Sequence, residues 1–348
     1  MDAPFKMHFP PQLLLRGNCA ELLNGLGGQR VLVIGSKRSA ELFDWAGLFP
    51  GKEVAIFDGS LPHSPEAVLA QCSAIAHSFS PDTLIAIGSG SAIDLAKGVL
   101  DSISAEFIAI PTSLGGGEMT NVYGIRTQRG TKEGKGGLKY LPKKVIYDPG
   151  LLASLPLQEL AASGINSWAH CIEAFYSRKQ HWFGKAAAAR GGNMWPELLT
   201  AAKSGEQNQA LAETLFEAAS LAGFAINACG LGLHHAVCHV VGAATGLTHG
   251  LVNAIALPKT LALNREIAPA AIRATEQALS VDDLIQSASD LIARLELPRS
   301  LQELHVSMDL VEPLVKALMT AHHLKNNPAV LDEDHASKLM HAIFTGST

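Results

Sequence analysis

At 348 residues the chain is long enough for two domains and a sizeable core. Hydrophobic residues make up 47% and charged residues 17%, which excludes a disordered chain, and a formal net charge of -5 without a like-charge block gives no electrostatic footing for nucleic acid. Five cysteines at scattered spacing (Cys19, Cys72, Cys171, Cys229 and Cys238), with no CxxC, argue against a disulfide framework or zinc knuckle. Free thiols in a reducing compartment are the simpler reading. The N-terminal stretch lacks a basic segment followed by a long apolar run, and no apolar run approaches membrane-spanning length. The expectation is a cytoplasmic protein with no membrane partner.

In chain order, Arg30 to Gly35 reads as a buried strand, Ser39 to Leu48 as a helix and Glu53 to Asp58 as a second strand. Pro65 to Phe79 has helical spacing, with Pro65 suited to a first turn. Thr83 to Ile87 is a third strand, followed by Gly88-Ser89-Gly90-Ser91 and a helix through Leu100; Phe107 to Ile110 is a fourth. Strands alternating with helices argue a parallel sheet with helices on both faces. Gly130 to Lys139, rich in Gly and Lys, reads as a mobile loop. Asp148-Pro149-Gly150 breaks the chain, which places the domain boundary near 150. From 151 to 348 helical segments dominate: Lys185 to Leu199, Gln209 to Ala228 and Val281 to Leu295. The first carries Gly191, Gly192 and Pro196, residues that disfavour a helix. The fold class is therefore α/β: residues 1–150 form a Rossmann-like nucleotide-binding domain and 151–348 an all-helical substrate domain.

Gly88-Ser89-Gly90-Ser91 lies between a strand and a helix. Small residues let the backbone approach a pyrophosphate, whose charge a helix N-terminus favours. Ser91 and Asp94, three apart, equally suit a capping box with Asp in place of Glu. Pro111 to Thr120, rich in hydroxyls and glycine, ends the next strand, where a ligand could cross the sheet.

The helical half holds the histidines. Asn166 and His170 are four apart and share one helix face, as do His235 and His239. His234 and His249 complete the stretch Gly230 to Pro258. Histidines on an apolar helix need partners, so this is either a polar network in a core or an active-site floor. His234 and His239 are each as suited to a packed core position as to a ligand contact. His63, His77, His181, His305, His322, His323, His335 and His341 read as surface or structural.

The segment Gly88 to Lys97 resembles the GGGSxxDxAK motif of iron-containing (group III) alcohol dehydrogenases, and Pro111 to Thr120 is similar to their PTTxGTGSE. That resemblance implies an N-terminal nucleotide-binding domain, a C-terminal helical domain and NAD(P) with substrate in the cleft between them. It implies cofactor contacts from Gly88, Ser89, Gly90, Ser91, Asp94, Thr112, Ser113 and Thr120, with Lys132 at the place of a cofactor-side lysine. Ser36-Lys37-Arg38 stands where many NAD-preferring members carry an acidic residue, so use of both NADH and NADPH is expected; a solvated surface turn is the bland alternative.

In metal-dependent members, DxxxH and two later histidines hold Fe2+ or Zn2+. Here the Asp position is Asn166. Three histidines and an amide could still bind zinc. The surrounding residues, Gly164 to Ala174, resemble GxNAxAHxxEA of the maleylacetate reductase branch, which works without metal. Leu233 to His239 is similar to its LHHKLCH, and Leu141 to Pro149 to its LPRTVIYDP. Ala236 in place of Lys and Thr248-His249-Gly250 depart from that branch. The resemblance implies a metal-independent NAD(P)H-dependent reductase, maleylacetate to 3-oxoadipate, with Asn166, His170, His235, His239 and His249 around substrate and nicotinamide. It also implies a homodimer and a dicarboxylate substrate, for which Lys132 and Lys139 are candidate holders. Alternatives are a metal-dependent alcohol dehydrogenase acting on a small aldehyde or ketone, a cyclase or lyase of the same architecture, and a nucleotide-binding protein without activity.

Overall fold

The computed structural model describes residues 7–206 and 208–347. Met1 to Lys6, part of the N-terminal stretch read as lacking a targeting signal, lie outside the described residues. No single helix among the described residues is long and apolar enough to cross a membrane. The chain divides into two compact units, 7–129 with 133–154, and 130–132 with 155–347.

In the first unit the elements are β1 (Gln12–Leu15), α1 (Cys19–Leu23), β2 (Arg30–Gly35), α2 (Lys37–Ala40), α3 (Trp45–Leu48), β3 (Glu53–Phe57), α4 (Glu66–Phe79), β4 (Thr83–Gly88), α5 (Gly90–Val99), β5 (Glu106–Pro111), β6 (Val122–Arg126), β7 (Lys132–Gly136), β8 (Lys144–Tyr147) and α6 (Pro149–Leu152). Six strands form one parallel sheet in the order β1-β8-β5-β4-β2-β3. The central strands β2, β4 and β5 are buried along nearly their whole length, as a parallel sheet covered on both faces requires. From β2 the chain steps outward to β3, then returns to place β4 on the other side of β2. Strand order thus reverses between β2 and β4, and such a reversal opens a crevice at the strands' C-terminal ends.

Two element assignments in this unit are corrected. The single helix expected from Ser39 to Leu48 is two short helices. The indole N–H of Trp45 donates to the Ala40 carbonyl at 2.7 Å, occupying an acceptor the next helical turn would need. Asp44 then caps α3 by accepting from the Gly47 amide. The loop expected at Gly130 to Lys139 instead contains β7, paired with β6 in a separate two-stranded sheet. A β-carbon on Gly134 would lie 2.1 Å from the Tyr123 carbonyl oxygen, so this glycine permits close strand approach. Asp101 anchors the far end, bonded to Lys135 at 2.6 Å, Lys139 at 2.7 Å, Tyr140 at 2.6 Å and Tyr123 at 2.8 Å. Burial pushes its carboxyl up, but these four donors outweigh burial and hold it well below the usual carboxylate range.

The second unit is helical: α7 (Leu157–Tyr176), α8 (Trp182–Lys203), α9 (Gln209–Cys229), α10 (Leu233–Thr245), α11 (His249–Ile267), α12 (Pro269–Ala278), α13 (Leu284–Arg294), α14 (Val311–Met319) and α15 (Glu333–Thr345). α8 runs unbroken through Gly191, Gly192 and Pro196. A β-carbon on Gly191 would lie 3.3 Å from the Cys171 sulfur, and one on Gly192 3.3 Å from the Cys171 β-carbon. These glycines let α8 lie close to α7, and packing outweighs their poor helix propensity. All five cysteines are free and buried.

Candidate active site

Glycine is required at the β2 and β4 ends. A β-carbon on Gly35 would sit 2.8 Å from the Ile87 carbonyl oxygen; Gly88 has φ +143, and its β-carbon would meet Ala92 at 3.0 Å. Ser36 caps α2 in a reciprocal box with Ser39, and Lys37 and Arg38 are exposed beside it. The capping box expected from Ser91 and Asp94 does not form. Ser89 is the N-cap of α5, and its side chain makes no capping hydrogen bond. The Ser91 hydroxyl accepts instead from the His63 amide at 3.2 Å, and Asp94 from the Gly124 amide at 3.3 Å. The amide-bearing first turn of α5 therefore remains for an anion.

The following loop is held from below. Lys97 is fully buried and its ammonium donates to the carbonyls of Gly117, Thr120 and Val122 at 2.7, 2.8 and 3.0 Å, and to the Thr120 hydroxyl at 3.1 Å. Burial lowers its pKa to about 8, against the pull of Asp94 and Glu118. Thr120 is buried, with its hydroxyl donating to Gly117, so it serves the loop's own fold. Thr112 and Ser113 lie at the end of β5, where the Thr112 amide donates to the Gly88 carbonyl at 3.0 Å.

In the helical unit, Asn166, His170 and Glu173 project from α7, and His235 and His239 from α10. The His170 and His235 rings stack with centroids 4.6 Å apart and planes at 26°. His249, at the start of α11, stands 5.5 Å from both His235 and His239. Its position depends on Gly250, whose β-carbon would meet the Ala162 backbone at 2.8 Å. His239 also meets His323, in the turn His322–Asn326, at 5.0 Å. Burial pushes His170, His235 and His239 well below the usual imidazole range, and His323 down to about 4. The charge of nearby Lys132 adds to this at His235, His239 and His323. These rings are uncharged at neutral pH.

The paired residues of α10 face different neighbours. His235 Nδ1 stands 2.6 Å from Glu173 Oε2, and its Nε2 stands 3.0 Å from Asn166 Oδ1, both on α7. His234 is fully buried between Thr260 at 3.1 Å and Asn253 at 2.7 Å on α11, and Asn253 donates to the His249 carbonyl at 2.8 Å. His234 is thus a satisfied core histidine that fixes α10 to α11, whereas His239 joins the cluster. His170 Nδ1 is buried without a hydrogen-bond partner, a state that a bound polar group would relieve.

The residues 13–149 match the model of the iron-containing alcohol dehydrogenase family, and 160–344 match that family's C-terminal model. The chain belongs to the iron-containing alcohol dehydrogenase family. Within this family it falls in the maleylacetate reductase branch. It is 32% identical to maleylacetate reductase 1 of Cupriavidus pinatubonensis over 326 residues, covering 92% of this chain and 90% of that one. It is 29% identical to maleylacetate reductase of Burkholderia cepacia over 325 residues, 93% and 92% of the two chains. The crystal structure of maleylacetate reductase from Agrobacterium tumefaciens aligns with TM-score 0.85 and 27% identity over 99% of each chain. The protein is an oxidoreductase of this family, whose members bind NAD(P).

The uncapped start of α5 and the close-packed glycines at Gly35 and Gly88 fit the diphosphate of such a cofactor. The family's metal ion fits less well. Both nitrogens of His235 already face side chains, Glu173 and Asn166, so neither is free to turn toward an ion. No group of three or more His, Cys, Asp or Glu among the described residues is arranged to hold an ion.

Three placements differ from the sequence reading or were absent from it. Lys139, a candidate for holding a dicarboxylate, is ion-paired with Asp101. His323, read as surface or structural, stands in the cluster beside His239, and the His322-His323 pair alone gave no sign of this. Glu173 had a weak signal, a lone carboxylate in the apolar run Cys171-Ile172-Glu173-Ala174.

Proposed function

We propose that this protein is an NAD(P)H-dependent reductase of an unsaturated oxo-dicarboxylate, converting maleylacetate to 3-oxoadipate without a bound metal ion. The relatives support the reaction class. The observation that carries the metal-free reading is Asn166, an amide in contact with His235 where metal-binding relatives have a carboxylate ligand.

When bound near Gly88 to Ser91, NAD(P)H would supply a hydride for the alkene carbon β to the ketone. The chain's own residues must then steady the negative charge arriving on the ketone oxygen and provide a proton at the α carbon. Neutral imidazoles suit the first task, because a ring N–H can hydrogen-bond the oxyanion without bringing a competing negative charge, and they serve the second as relays, taking a water proton at the free nitrogen as the N–H proton passes to the α carbon. His170, with an unpartnered buried nitrogen, and His239 and His249 are the groups available, while His235, engaged by Glu173 and Asn166, holds Asn166 in place. Asn166 can offer an N–H to a carboxylate or oxyanion, which Asp could not. Lys132, whose charge is felt at three of the histidines, suits the carboxylates of a dicarboxylate. Lys37 and Arg38 favour acceptance of a 2′-phosphate, so both NADH and NADPH serve. A homodimer in the cytoplasm completes the proposal.

The test is turnover of maleylacetate with each nicotinamide. The reading expects NAD(P)H oxidation coupled to 3-oxoadipate formation. Oxidation of simple alcohols with no activity on maleylacetate would overturn it.

A further inference from the structure

Glu173 is fully buried, and its two oxygens have different partners. Oε1 accepts from the backbone amides of Gly232 at 3.1 Å, His234 at 3.0 Å and His235 at 3.4 Å, and from the Tyr176 hydroxyl at 3.3 Å. Gly232, the N-cap of α10, has no side chain that could do this. A carboxylate from α7 therefore caps α10, at the helix end where the dipole favours negative charge. Oε2 is left to face His235 Nδ1 at 2.6 Å. The carboxylate cannot turn without releasing the cap, so one side chain fixes both the docking of α10 and the plane of the ring.

We infer that Glu173 is a positioning residue that keeps the His235 proton on Nδ1 and thereby selects which end of the Asn166 amide faces the ring. This rests on the reductase reading of the histidine cluster. Burial raises the Glu173 carboxyl, but the three backbone amides on Oε1 favour its ionised form, and an ionised carboxylate only accepts, so Nδ1 donates to it. A neutral ring has one proton, and Nε2 is then a lone pair directed at Asn166. The two ends of an amide are alike in shape, and a half-turn presents its N–H to that lone pair. An aspartate at 166 has no donor to present. Glu173, His235 and Asn166 form a row in which each hydrogen bond sets the next.

Glu173→Gln tests this. Glutamine keeps an oxygen for the amides of α10 but turns an NH2 toward Nδ1, which forces the ring proton onto Nε2. The readout is 15N NMR of histidine-labelled protein free of substrate and cofactor, with the His235 signals identified by their loss in His235→Ala. Expected are Nδ1–H in the wild type, Nε2–H in E173Q, a melting temperature near wild type, and kcat on maleylacetate lower by about 100-fold or more with KM little changed. An Nε2–H tautomer in the wild type, an unchanged tautomer in E173Q, or wild-type turnover in E173Q overturns the inference. Should E173Q fail to fold, the wild-type tautomer decides alone. A wild type with no activity on maleylacetate would sink the reductase reading, while the tautomers, measured without substrate, still decide the role of Glu173.

Discussion

Asn166 Oδ1 lies 3.0 Å from His235 Nε2, so the amide that replaces a carboxylate ligand is bonded within the histidine cluster. Restoring the carboxylate should be harmful. Asn166→Asp adds a negative charge where the proposed enolate forms and removes the N–H donors. We expect kcat on maleylacetate to fall by about 10²-fold or more, in line with loss of an oxyanion donor, with NAD(P)H affinity near normal. Steady-state kinetics on both substrates check this; unchanged turnover removes Asn166 from the mechanism.

His235→Ala should lower turnover at saturating substrate and leave NAD(P)H binding near normal, since Gly88 to Ser91, Thr112 and Ser113, proposed to hold the cofactor, lie in the other unit. Cofactor titration by fluorescence, set beside kcat, separates the two effects. Weakened cofactor binding with normal turnover would contradict the assignment.

Lys97 gives a pH prediction. Its folded pKa is about 8 against an ordinary 10.5, so between those values the unfolded chain binds more protons than the folded one. Stability contributed by this residue therefore rises as pH increases from about 8 to about 10.5, by roughly 3 kcal/mol at most. Lys97→Met should lack this rise. It should also be less stable at pH 7 by about 2–4 kcal/mol, because buried carbonyls of Gly117, Thr120 and Val122 lose their donor. Urea denaturation of both proteins across that pH range checks the sign. A parallel pH dependence in the two would show that Lys97 is not the cause.

Gly250→Ala tests how the cluster is held together. The new methyl would lie 2.8 Å from the Ala162 backbone, which cannot move as a flexible side chain can. Overpacking of this kind costs about 1–3 kcal/mol. The start of α11 should shift and carry His249 with it, so melting temperature and kcat should fall together. Loss of neither would mean that the contact is softer than the geometry indicates.

The sheet was legible because β2, β4 and β5 are uninterrupted apolar runs, which a strand buried on both faces needs. β7 was not, because its glycines, which mimic a loop, are there for close strand approach. The break between α2 and α3 was hidden because it depends on the Trp45 indole reaching back to Ala40. At the site, His170, His235, His239 and His249 stood out because histidines on apolar helices demand partners, whereas Asn166 was marked by the family resemblance, at the place of a metal-binding aspartate. The role of Glu173 was invisible, since the amides it caps are about sixty residues away and come near only when α7 and α10 pack. His323 reaches the cluster from a short turn near the C-terminus, with no periodicity to mark its direction. The capping box read at Ser91 and Asp94 had the right spacing, but His63 and Gly124 engage both side chains.

The most direct measurement is metal content against activity. Purified protein, dialysed against a strong chelator and assayed with maleylacetate and NADH, should hold well under one equivalent of Fe or Zn and retain its turnover. One equivalent of metal per chain, lost together with activity and restored together on adding the ion back, would contradict the account.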